Sequence, residues 1–181
     1  VYGVPAYSTL GWFDDPLLST FIDYPDAELA RLMFHELAHQ VAYVKDDSSF
    51  NESFAVVVER EGLRRWLGAP PADQRRRELE QLVAALRAEL EFLYAMALAP
   101  GEMRRRKRAA LEALRPWLAR MRGFESLEPS NAVLAAFATY TQKIPAFERL
   151  LAEEGGDLGR FYARVRELAQ LPRAARDARL R

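Results

Sequence analysis

Between about Ala72 and Leu98, apolar side chains recur at helical spacing: Leu79, Val83, Leu86, Leu90, Leu93 and Ala97. Such a stripe ties one face of a helix to a core and leaves the rest to solvent. Pro100-Gly101 breaks the pattern. A second stretch, from about Glu102 to Met121, repeats it with Leu111, Leu114, Trp117, Leu118 and Met121. A break this short turns the second helix back along the first, so residues 72–122 predict a long antiparallel helical hairpin.

Most of the remaining chain also carries a helical period. Pro25 and Asp26 suit a helix start, and Glu28 falls in the first turn. Leu29, Leu32, Met33 and Leu37 then continue to about Val44. This helix is apolar enough around Leu32, Met33, Phe34, Leu37, Ala38 and Val41 to be expected buried. Residues 45–49 read as a polar loop. A second helix follows from about Phe50 to Leu67, stopped by Gly68 and Pro70-Pro71. Residues 131–142 read as a buried helix, part of which also suits a strand. Pro145 opens a helix to Glu154, Gly155-Gly156 ends it, and Asp157 caps a last helix to about Leu171. The tail from Pro172 reads as frayed.

Residues 1–22 differ. Their β-branched and aromatic residues, interleaved with Gly and Pro, predict one or two short strands. The expected class is therefore mainly α with a small β part (α+β), as one domain over residues 1–181. The chain opens on Val1 rather than methionine, as a trimmed piece does, and a missing N-terminal segment is expected.

Charge excludes some partners. Lys plus Arg and Asp plus Glu are both 26, so no overall field favours nucleic acid or an anionic membrane. The runs Arg75-Arg76-Arg77 and Arg104-Arg105-Arg106-Lys107-Arg108 lie among acidic neighbours and read as solvated helix faces. No apolar run approaches the roughly 20 residues of a transmembrane helix, and no signal peptide is visible. There is no cysteine, which removes disulfides and thiolate metal ligands.

The chain has two histidines, and they are four apart in Phe34-His35-Glu36-Leu37-Ala38-His39-Gln40. Residues four apart share a helix face. Two imidazoles there can bind one Zn2+ ion, and Glu36 beside them can take a proton from water, the pattern H-E-x-x-H. Burying these three groups without a partner is costly, and a metal removes that cost. A catalytic zinc needs a third protein ligand and an open position. With neither cysteine nor a third histidine, that ligand is a carboxylate. Glu52, at the start of the next helix, is the first choice. Ser49-x-x-Glu52 also fits a capping box, in which Glu52 caps its own helix. Glu59, two turns on along the same face, is the alternative ligand, or the group that orients a histidine ring.

The strings HELAHQ and NESFA resemble the gluzincin peptidases, in which the glutamate of a comparable Asn-Glu pair on a second helix is the third ligand. That resemblance implies the same role for Glu52, although only 12 residues separate it from His39, fewer than in thermolysin-like or aminopeptidase N-like enzymes. Longer strings (AYSTLGWFDDPLLSTF, FHELAHQ, FNESFAVVVEREG, AAFATYTQKIPAFERLL, GGDLGRFYARVRELA) resemble a predicted bacterial aminopeptidase family of the cell envelope. The resemblance implies a zincin-like helix pair and zinc-dependent peptide hydrolysis, with Glu36 as general base and a peptide as substrate. It also implies a tyrosine on a later helix as donor to the oxyanion, for which Tyr140 is the candidate. Peptidases of this type often bind substrate as an added strand, a role expected for Ser8, Thr9, Leu10 and Gly11. An endopeptidase of the same mechanism and a non-catalytic, zinc-stabilised partner-binding module remain alternatives.

Overall fold

A computed structural model describes residues 22–68, 74–120 and 126–180, without the side chains of residues 74–76 and Tyr140. The strand region and Ser8, Thr9, Leu10 and Gly11 within it lie outside the described residues. Those that are described are mainly helical, with no strand among them. The chain divides into two compact units, Val1–Pro71 with Gln142–Arg181, and Ala72–Thr141.

The first unit is built on α1 (Asp26–Val41) and α2 (Ser48–Leu67), which pack along each other. It is completed by α7 (Ile144–Glu153), α8 (Leu158–Ala169) and α9 (Arg173–Arg179). α2 is the central element. Phe50, Phe54, Ala55, Val56, Val57 and Val58 are all buried. Phe50, Phe54, Phe147 and Phe161 are fully enclosed, and the Phe50 and Phe147 rings meet edge-to-face with centroids 5.1 Å apart. Gly68 ends α2 with φ 82°, a left-handed conformation that glycine adopts without a Cβ clash.

Two expectations for this unit change. α1 is not buried all round: Met33 is 43% and Leu37 50% exposed, while Ala38 and His39 are buried. One side of the helix alone faces α2, so apolar composition overstated its burial. The tail is not frayed either. Residues 173–179 form α9, whose Arg176 is buried.

The second unit contains α3 (Gln74–Ala95), α4 (Pro100–Leu111), a 3-10 turn (Glu112–Leu114), α5 (Arg115–Leu118) and α6 (Asn131–Thr141). Val83, Leu86, Leu90 and Leu93 of α3 cluster with Ala110, Leu111, Leu114 and Leu118. Ala97 lies beyond the end of α3 and is exposed. Pro116 accounts for the interruption of the second arm, since it has no N–H for the carbonyl of Glu112 four residues back. Residues 131–141 are helix rather than strand, burying Leu134 and Ala138 on one side against the hairpin. In the basic run of α4, Arg105 and Arg106 pair with Glu102 of the same helix, as a solvated helix face does. Among the described residues, no helix is long and apolar enough to cross a membrane.

Candidate metal centre

α1 ends at Val41, three residues earlier than the sequence predicts, and Ala42 is extended. α2 begins at Ser48. The chain therefore reverses over residues 42–47, and His39, in the last turn of α1, comes close to the second turn of α2. Asp47 caps α2 by accepting a hydrogen bond from the Phe50 amide at 3.1 Å. The capping-box alternative for Ser49 and Glu52 is thereby replaced, because the cap lies two residues earlier and Glu52 points elsewhere.

Glu52 faces both histidines. Its Oε2 is 3.1 Å from His35 Nε2, and its Oε1 is 3.9 Å from His39 Nε2. The two imidazole centroids are 5.0 Å apart, with the rings nearly perpendicular. One ligand atom from each of His35, His39 and Glu52 lies within 4.8 Å of the others, so this group could hold a metal ion. Glu59 takes the other edge of His35, with Oε2 3.1 Å from Nδ1. The Glu59 side chain is only 4% exposed, and Arg31 stands 3.4 Å from its Oε1. Glu36, the residue between His35 and Leu37 on α1, is half-buried. Tyr140 lies in α6, but its side chain is outside the described residues.

The electrostatics suit a cation. Burial lowers the pKa of His35, but hydrogen bonds and charge from Glu52 and Glu59 outweigh it, and the net effect is a rise to about 9. His39 is pushed the other way, below the ordinary value, by burial and by the charge on His35, which together outweigh the charge of Glu52. A neutral imidazole keeps a lone pair for a metal. His39 Nδ1 is moreover a buried polar atom with no hydrogen-bond partner among the described residues. Two imidazoles and a carboxylate, with a second carboxylate bonded to one ring, are a donor set that fits Zn2+.

Sequence reading missed three residues around this cluster. Tyr43 lies half-exposed with its ring edge-on to His39, centroids 6.1 Å apart. Its four-residue offset from His39 was a visible signal. Asn51 is buried, and its side-chain amide bonds both the N–H and the carbonyl of Val44 at 2.8 Å. Arg176 reaches Asp47 from the far end of the chain and has no local sequence signal.

Fold and site together define a mainly helical protein in which one helix pair gathers a candidate metal-binding group. Over residues 1–180 the chain matches the model of the family described as "Putative aminopeptidase", and it belongs to that family. The family name points to peptide hydrolysis. No curated protein and no solved structure matched the chain.

Proposed function

We propose that this protein is a zinc-dependent aminopeptidase with a gluzincin-type centre in a zincin-like helix pair, formed within one domain. The observation that carries the reading is the convergence of His35, His39 and Glu52, with Glu36 between the two histidines in sequence.

His35, His39 and Glu52 would hold one Zn2+ ion. When bound, the ion supplies Lewis acidity, which makes water nucleophilic near neutral pH and polarises a peptide carbonyl. Glu36 takes the proton of the attacking water and passes it to the leaving amine, so that the peptide bond is replaced by a carboxylate and a free amine. Glu59 holds the His35 ring through Nδ1 and leaves Nε2 for coordination. Tyr140 is assigned the role of hydrogen-bond donor to the developing oxyanion. The segment Ser8, Thr9, Leu10 and Gly11 is assigned to the substrate backbone as an edge strand.

The test uses the purified chain with one equivalent of Zn2+ and matched peptides with free and blocked N-termini. Release of N-terminal residues from the free peptides alone is expected. The Glu36→Gln variant should bind Zn2+ as the parent does and lose about 10²–10⁴-fold in turnover. Equal cleavage of blocked peptides would replace the exopeptidase reading with the endopeptidase one. Zinc binding without turnover in the parent would leave the partner-binding module.

A further inference from the structure

We infer that Arg176, in the C-terminal helix, is a positioning residue for the metal cluster, acting through Asp47 and the 42–47 turn. The inference rests on the zinc reading above and adds a residue that neither the motif nor the family name assigns.

The turn decides whether the cluster forms. His39 lies just before it and Glu52 just after. A helix rotates by about 100° per residue, so a one-residue shift in the start of α2 would carry Glu52 off the face that meets the histidines. The turn is bent sharply, with Asp46 in the left-handed region at φ 63°. Two clamps hold it. Asn51 fixes the Val44 peptide groups from within α2. Asp47 is the second clamp, and its two oxygens do different work. Oδ1 caps α2 through the Phe50 amide. Oδ2 accepts from Arg176 Nε at 3.0 Å and Nη2 at 2.6 Å.

Arg176 is itself held. Its Nη1 donates to the carbonyl of Leu171 at 2.8 Å, and the guanidinium lies over the Phe50 ring, 5.2 Å from the centroid. The two side chains are 4% and 1% exposed. Asp177 joins α9 to Lys143 as well. A buried ion pair is a weak source of net stability, because desolvation offsets the attraction, and apolar side chains of similar volume often do as well. What an apolar filler does not supply is direction. The planar guanidinium fork fixes where Oδ2 sits, and with it the cap that sets the phase of α2.

The experiment compares the full chain with Arg176→Met, Arg176→Lys and the double variant Asp47→Asn/Arg176→Met. Zn2+ affinity is measured by competition with a chromophoric chelator at 20 °C, and the melting temperature of each metal-free protein is measured separately. The parent should bind one Zn2+ per chain. Arg176→Met should bind about 10–100-fold more weakly, the range seen when a group that orients metal ligands is removed. Arg176→Lys should recover part of that loss. The double variant removes the unpaired buried carboxylate, so it should regain thermal stability while its zinc affinity stays low. If Arg176→Met does not fold, the lysine and double variants decide the matter. Zinc affinity within twofold of the parent in Arg176→Met or in the double variant, or affinity restored in step with stability in the double variant, would overturn the inference while leaving the zinc reading intact. A parent chain that binds no Zn2+ would overturn both.

Discussion

Oε2 of Glu59 lies 3.1 Å from Nδ1 of His35, on the opposite edge of the imidazole from Glu52, whose Oε2 lies 3.1 Å from Nε2. A single ring is thus held between two carboxylates, and the two are not equivalent. Glu52 also approaches His39, at 3.9 Å, whereas Glu59 is backed by Arg31. The geometry favours Glu52 as ligand and Glu59 as the group that fixes the ring. Glu59→Gln should therefore weaken Zn2+ binding about 10–100-fold, and Glu52→Gln should weaken it further. Chelator competition on both variants measures the difference. A larger loss in Glu59→Gln would exchange the two roles.

The close approach of α1 and α2 depends on Gly62. A Cβ built there meets the Phe34 ring at 2.7 Å, and Phe34 immediately precedes His35. Gly62→Ala should thus displace either the ring or the helix, at a cost of about 1–3 kcal/mol of overpacking. It should also lower zinc affinity, because the carrier of both histidines moves. Adding Phe34→Leu to Gly62→Ala should restore part of both. Thermal unfolding and chelator competition provide the two readouts. Unchanged stability in Gly62→Ala would show that the ring moves aside freely.

Local signals carried most of the helix order. Gly68, Gly155-Gly156 and Asp157 marked ends that the structure contains, and the hairpin stripe placed Val83, Leu86, Leu90 and Leu93 in one cluster. The nearness of His35 and His39 followed from helix geometry alone. What sequence left open depended on distant partners. Glu52 fitted a capping pattern as well as a ligand, and the position of Asp47 as the cap, with Glu52 turned toward His35, separates the two. Exposed Met33 and Leu37 were not legible, because an apolar residue carries no mark of which side of its helix is covered. Arg176 sits 129 residues from Asp47, in a tail that reads as frayed, so the pairing had no local trace.

Asp47 gives a pH signature. Burial alone would raise its pKa, but the hydrogen bond from Arg176, the Phe50 amide, and the charges of Lys143 and Arg176 outweigh burial and hold it below the ordinary value of 3.8. A carboxyl whose folded pKa is depressed contributes stability above its unfolded pKa, and that contribution is lost as pH falls through the lower folded value. The parent should therefore lose stability steeply below about pH 4. Asp47→Asn should be less stable at pH 7 and show a flatter acid limb. Denaturant unfolding from pH 7 to pH 2.5 compares the two. Parallel curves would mean that Asp47 titrates alike in the folded and unfolded chain.

The two hydrophobic clusters share no residue, one being gathered around Phe50, Phe54, Phe147 and Phe161 and the other around Leu86, Leu90, Leu111 and Leu114. Phe54 lies on the same helix as Glu52, and Leu114 lies in the other unit. Phe54→Ala should cost about 3–5 kcal/mol and Leu114→Ala about 2–5 kcal/mol, since both side chains are fully enclosed. Their effects on the metal centre should differ. A cavity beneath α2 loosens the helix that carries Glu52, so Phe54→Ala is expected to weaken Zn2+ binding at 20 °C. Leu114→Ala should leave binding unchanged at any temperature where the chain remains folded. Paired measurements of unfolding and zinc affinity make the comparison. Equal weakening by the two substitutions would show that the second core supports the metal centre as directly as the first.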